Sequence, residues 1–343
     1  MYVLNNHTAE SVLITGASGF IGSFIAEEAL NRMFSVWAGI RVTSNKRYLK
    51  NTNIHFFESN YSDWDALRTS LSQHKKVYGK FDYVIHCAGA TQCVDKDDFE
   101  KVNYLQTKYL VDALINLDMV PKQFVFVSSL SIFGPIHEKS YQPIKESDTP
   151  IPNTLYGISK LKAERYIESF VDFPYVFYRP TGVYGPRDKD YFLMAKSVKK
   201  GIDFSAGCKR QNITFIYVKD LAKAIFLGID KGILRRAYFI SDNGIYQSHT
   251  FSDLLQRELG ISLVVHIKCP LFLLKVACLL SAFYAGIFKR SSTLNLDKYK
   301  ILKQRNWRCD ITPAIKELNF IPEYDLKRGI KETVAWYKKE KWL

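Results

Sequence analysis

The chain has 343 residues, enough to bury one large core or two intimate ones, and its 47% hydrophobic and 24% charged content is that of a globular protein. A net charge of +14 raises nucleic acid as a partner, but the 48 basic residues are spread along the chain without an arginine-rich block. Solvated helix faces and an anionic ligand are the better account. Six cysteines (Cys87, Cys93, Cys208, Cys269, Cys278, Cys309) lack CxxC spacing, seven histidines form no HxxxH pair, and MYVLNNHTAESVLITG has no basic-then-apolar signal. That pattern is expected of a reduced, cytoplasmic protein with no structural metal.

SVLITGASGFIGSFIAEEAL opens with a β-branched, apolar run, Val12 to Thr15. Gly16, Gly19 and Gly22 follow, and Ile21, Phe24 and Ile25 then share a helical face. Strand, glycine turn and helix are the context of a dinucleotide fingerprint. Gly16 permits the tight turn, Gly19 lets the backbone approach a pyrophosphate, and Gly22 lets the helix pack on its strand. The helix N-terminus adds free donors, with Ser18, Phe20 and Ile21 completing the cofactor-facing turn. The next strand, SVWAGIR, ends at Arg41, where an NAD-selective fold usually offers a carboxylate to the ribose 2′-hydroxyl. A guanidinium there, with Ser44, Lys46 and Arg47 nearby, suits a 2′-phosphate, so NADP is favoured and NAD is the alternative.

IHFFES, FDYVIHCAGA, FVFVSSLSIFG and YVFYRPTGVYG alternate with helical segments and carry Gly or Pro at their ends. They predict an α/β fold, a doubly wound parallel sheet of Rossmann type. Its domain spans residues 1–185 and is completed by about 214–241, with residues 186–213 and 242–343 forming a smaller C-terminal substrate lobe. PLFLLKVACLLSAFYAGIFKR, from Pro270 to Arg290, is nearly long enough to span a bilayer, but Lys275 interrupts it. The expected element is a buried or amphipathic helix over the substrate pocket, with no transmembrane span. Peripheral attachment to an anionic membrane surface through Lys289 and Arg290 stays open.

These residues resemble the extended short-chain dehydrogenase/reductase superfamily, the NAD-dependent epimerase/dehydratase family. TGASGFIG matches its TGxxGxxG loop, and HCAGA, with Ala88 and Gly89, stands where the family has a small-residue strand end beside the adenosine. Asp63 matches the aspartate that meets the adenine amino group, and Asn103 the asparagine of the fourth helix. VSSLSIFG, YGISK and YRPTGVYGP follow in the family's order, the last contributing Pro180 and Val183 to the cofactor side. Asn60 and Gln106 depart from the pattern, at a frequent aspartate and a frequent glycine. The resemblance implies that Tyr156 exchanges a proton with the substrate oxygen and that Ser129 hydrogen-bonds that oxygen. Lys160, four residues along one helix face, would lower the phenol pKa and hold the ribose hydroxyls. It also implies a homodimer through the helices around 99–118 and 156–171.

Three readings of function compete. Thr181 and Gly182 stand where nucleotide-sugar epimerases and dehydratases usually carry Asn, and Leu130 and Ser131 replace the dehydratase Asp–Glu pair. RPTGVYGP followed by the apolar helix looks closest to dihydroflavonol reductases and 3-beta-hydroxysteroid dehydrogenases. The favoured expectation is therefore hydride transfer between nicotinamide and a small, largely apolar ketone or secondary alcohol, with Ser131, Thr181 and Tyr184 as substrate contacts. The pocket roof would come from Pro270–Phe288 and Pro135–Leu155. A nucleotide-sugar epimerase or dehydratase is the alternative, and a non-catalytic NADP-binding scaffold the third.

Overall fold

A computed structural model describes residues 9–93, 95–287 and 294–343. The segment expected to lack a leader signal falls partly outside the described residues, and Phe288, Lys289 and Arg290 fall wholly outside them. Strands β1 (Ser11–Thr15), β2 (Ser35–Ile40), β3 (Ile54–Glu58), β4 (Tyr83–His86), β5 (Gln123–Val127), β6 (Tyr175–Pro180) and β7 (Arg236–Ile240) form one sheet. Its order is β7-β6-β5-β4-β1-β2-β3, every pair parallel. β1 pairs on one side with β2 and on the other with β4, so the connections reverse direction there and leave a crevice at the carboxyl ends of the strands.

The sheet is covered on both faces, which is why its strands read as continuous apolar runs rather than alternating ones. Val12, Ile14, Val36, Val125 and Tyr178 face a layer that includes Ile25 and Ala26 of the helix Phe20–Asn31 and Leu221 and Ile225 of the helix Val218–Asp230. Leu13, Val84, Phe124, Phe126 and Phe177 face the other layer, with Leu67, Leu110 and Ala163 from the helices Trp64–Tyr78, Gln106–Asn116 and Leu155–Glu168.

A separate aromatic core joins Tyr184, Phe215, Tyr217, Phe251 and Tyr337. Two small parallel pairs accompany it, Gly182–Tyr184 with Phe215–Tyr217 and Ile202–Ala206 with Val265–Cys269. After Phe215–Tyr217 the chain returns through the helix Val218–Asp230 to β7. All six cysteines are free thiols.

The apolar run after Pro270 forms the helix Leu271–Ile287, but not the expected roof. Of its first ten side chains only Leu274 and Cys278 are buried, because neighbours meet it along one narrow seam. No described helix is long and apolar enough to cross a membrane.

Candidate active site

A cleft of about 900 Å³ opens at the β1–β4 reversal. It is lined by Gly16, Ser18, Gly19, Phe20 and Ile21 from the glycine turn, Arg41 after β2, and Ala88 and Gly89 after β4. Ser129, Tyr156, Lys160, Pro180, Thr181 and Val183 line its remaining length. The structure thus gathers most of the residues singled out from sequence along one wall-to-wall groove.

The glycine turn is shaped for close approach. Gly16 lies at φ +69°, and a Cβ there would come within 2.8 Å of the Ala88 backbone. At Gly22 a Cβ would fall 2.2 Å from the Gly16 carbonyl oxygen. No side chain caps the helix Phe20–Asn31 at Gly19, so its first-turn N–H groups are left for an anion. The buried Arg187 Nε and Tyr61 hydroxyl also border the cleft without a hydrogen-bond partner. A dinucleotide fits these features: a backbone cradle for phosphates, and unpartnered donors along the groove.

Of the catalytic candidates, Ser129 follows β5 and Tyr156 and Lys160 sit on the helix Leu155–Glu168, whose first turn is capped by Thr154 accepting from the Gly157 N–H at 3.0 Å. Lys160 is buried, donates to the Val127 carbonyl at 2.9 Å and lies over the Phe126 ring. Burial lowers its pKa to about 8. Burial likewise pushes the Tyr156 phenol up to about 12, with a hydrogen bond to Ser129 pulling the other way. In this structure the Lys160 amine is turned to a backbone carbonyl, and burial is the largest influence on both groups.

A buried hydrogen-bond chain fixes the geometry. Thr15 Oγ1 meets His86 Nδ1 at 2.7 Å, and His86 Nε2 meets Thr107 Oγ1 at 2.9 Å. Burial drops the His86 pKa to about 3, so the ring is neutral. Thr107 donates to the Asn103 carbonyl at 2.8 Å. Asn103 accepts from the Ala90 N–H (2.7 Å) and donates to the Ala90 carbonyl and Ser159 Oγ (both 3.0 Å). It occupies a π-helical turn, Glu100–Leu105, and does not line the cleft. Its place is to clamp the loop after β4 to the helix of Tyr156. Arg179 on β6 grips the same helix through a buried two-pronged bond to Glu164, at 3.0 and 2.6 Å.

Further sequence expectations lie elsewhere. Asp63 is the N-cap of the helix Trp64–Tyr78, accepting from the Ala66 N–H, and is outside the cleft lining. Gln106, one of the two departures from the family pattern, does line it and donates to Ser62 Oγ. Tyr184 is not a substrate contact: it is fully buried in the aromatic core, donates to the Asp325 carbonyl and packs against Gly329. Ser131 donates its N–H to Ser129 Oγ at 3.1 Å and also lies outside the lining. No described residue of Pro270–Phe288 or Pro135–Leu155 lines the cleft, so the apolar roof is absent from it.

Sequence reasoning missed the segment Arg187–Tyr191, which also lines the cleft. Arg187 reaches Ser23 Oγ at 2.9 Å and stacks over Phe24 and Tyr48, joining this segment to the first helix. The only signal was local, a basic and acidic cluster after Gly185–Pro186. Asp203, His249 and His266 also meet, with ligand-type atoms all within 4.8 Å, though no histidine spacing announced it. There, Asp203 Oδ2 lies within hydrogen-bond reach of both rings and of Ser252 Oγ.

Sheet order, glycine turn and a Ser–Tyr–Lys cluster in one groove define a short-chain dehydrogenase/reductase of the extended type. The chain belongs to the NAD dependent epimerase/dehydratase family, whose model matches residues 12–240. It is similar to the UDP-glucose 4-epimerase of Vibrio cholerae, 25% identical over 338 residues, covering 94% of each chain. It also resembles the sterol-4-alpha-carboxylate 3-dehydrogenase of Candida albicans, 23% identical over 98% of this chain and 99% of that one. The fold matches the UDP-glucose 4-epimerase of Thermus thermophilus, a complex with NAD, with a TM-score of 0.75 at 19% identity over 96% and 99% of the two chains.

Proposed function

We propose that this protein oxidises and re-reduces a secondary alcohol carbon of a nucleotide-linked sugar, as an epimerase-type enzyme. The observation that carries the proposal is the make-up of the cleft's lining. Beside the residues of the glycine turn and the Ser–Tyr–Lys cluster it includes Gln92, Arg187, Asp188, Lys189 and Asp190, and no described residue of the apolar helix. Such a wall suits a polar, charged substrate and gives a small apolar ketone little to bury against. The similarity to UDP-glucose 4-epimerases supports the same choice. Leu130 and Ser131, in place of an acidic pair beside Ser129, argue against a dehydratase. The division into a cofactor domain and a substrate lobe of residues 186–213 and 242–343 belongs to this proposal.

A bound nicotinamide dinucleotide supplies the hydride acceptor and donor. Tyr156 takes the proton of the substrate hydroxyl and returns it, and Ser129 donates a hydrogen bond to the same oxygen. Lys160, fixed by Val127 and desolvated, holds the ribose and keeps a positive charge beside the reacting centre. For the cofactor's adenosine end, Arg41, Ser44 and Arg47 border the cleft after β2 with no carboxylate among them, which favours NADP over NAD. The solved relative's NAD makes this the point to test.

The test is a thermal-shift panel with cofactor present, followed by NMR of the products. Stabilisation by a UDP-, dTDP- or GDP-sugar, and its conversion to the epimer, is the expected result. Stabilisation by steroid-like or aromatic ketones alone would overturn the proposal in favour of a ketone reductase.

A further inference from the structure

The most apolar of the described helices is largely exposed over Leu271–Leu280. In Leu271–Ile287 the buried pair Leu274 and Cys278 is four residues apart and marks a single seam. By the 3.6-residue turn, Phe272, Val276, Leu279 and Leu280 occupy the face opposite that seam. They are 68%, 49%, 47% and 55% exposed. Lys275 stands on the flank of this face, not at its centre.

The strands beside the helix are inverted in polarity. In Ile202–Ala206 the polar Asp203 and Ser205 point inward, Asp203 held by His249, His266 and Ser252, while Phe204 is 61% exposed. Its registered neighbour on the parallel strand Val265–Cys269 is Ile267, also exposed. One residue, Pro270, separates that strand from the helix. At the end of the partner strand, a Cβ on Gly207 would lie 3.3 Å from Leu271, so strand pair and helix adjoin. Exposed apolar surface of this kind marks an interaction site.

Charge identifies the occupant. Between Glu258 and Asp297 the sequence contains no carboxylate, but it contains Lys268 and Lys275 as well as Lys289 and Arg290. Lys199 and Lys200, exposed, precede the inverted strand, and Lys303 is exposed on the helix Leu296–Lys303, which packs against the apolar helix. An apolar face in a carboxylate-free, lysine-bearing stretch, whose lysine stems can lie along apolar surface while their charges reach outward, matches an anionic lipid surface. Among the described residues no helix is long and apolar enough to cross a bilayer, so the described helix would lie in the plane of the interface.

We propose that the helix Leu271–Ile287, with Phe204 and Ile267, docks this protein onto an anionic membrane surface. The experiment is co-sedimentation of the full chain with phosphatidylcholine vesicles containing one-third phosphatidylserine, with pure phosphatidylcholine vesicles, and without vesicles. The expected result is pelleting with the anionic vesicles, at least tenfold weaker with neutral ones, and none without lipid. Phe272→Glu/Leu279→Glu should lose at least tenfold in partitioning while melting temperature and dinucleotide affinity hold, since neither residue lines the cleft. Lys275→Glu, a milder variant, should weaken only the anionic component. Failure of the wild type to pellet, or equal pelleting of the double variant, overturns the proposal. So does a wild-type dimer that the double variant turns into a monomer in sedimentation velocity without any vesicle binding, which would assign the patch to a second copy.

Discussion

Replacing Asn103 by Ala tests whether this side chain, which does not line the cleft, controls the site by position. Its amide makes three hydrogen bonds of 2.7 to 3.0 Å, two to Ala90 and one to Ser159. Each such bond contributes about 1 kcal/mol net, more where a buried partner is left unpaired. Ala90 would keep an N–H and a carbonyl without their partner, while Ser159 retains its bond to the Tyr156 carbonyl at 2.8 Å. The loss should therefore be roughly 3 kcal/mol. At about 2.1 cal/mol/K per residue, that corresponds to a fall in melting temperature of roughly 4 °C. Cofactor affinity should fall with it, because Asn103 joins the loop of Ala88–Ala90 to the helix of Tyr156 and Lys160. Urea unfolding and calorimetric titration with NAD and NADP measure both. Asn103→Asp, which keeps the acceptor for the Ala90 N–H but brings a buried charge, should do no better than alanine. A loss below 1 kcal/mol with unchanged cofactor affinity would refute the clamp.

Tyr156→Phe should abolish turnover and leave cofactor affinity nearly intact, whereas Lys160→Met should damage both; steady-state kinetics beside calorimetry would show otherwise if the phenylalanine variant still turned over. Arg41→Asp should shift dinucleotide preference from NADP towards NAD, and equal affinities in the wild type would reject the role given to Arg41. Lys160, lowered from 10.5 to about 8, binds fewer protons folded than unfolded between those values. Its contribution to stability therefore rises with pH across that window, and Lys160→Met should flatten the rise in unfolding free energy measured from pH 8 to 10. An unchanged slope would mean that the lysine is not desolvated. The helices Gln106–Asn116 and Leu155–Glu168 are proposed as the faces of a homodimer, for which light scattering at micromolar concentration should give twice the chain mass.

The glycine spacing, the runs of β-branched residues and the Tyr156–Lys160 interval were enough to state the doubly wound sheet and most of one cleft. These are local constraints. A turn at positive φ needs Gly16, a strand covered on both faces needs unbroken apolar residues, and a helix aligns residues four apart whatever surrounds it. Tertiary structure alone decided what each group faces. Asp63 caps a helix, Tyr184 reads as a substrate contact and is core, and Asn103 bonds to Ala90 and Ser159. Burial is the largest influence on both Lys160 and Tyr156, a quantity set by every element packed around them. The run after Pro270 looks like a helix that should be buried. Its sequence specifies the helix but not a partner for its outer face, because burial depends on where neighbouring elements come to rest.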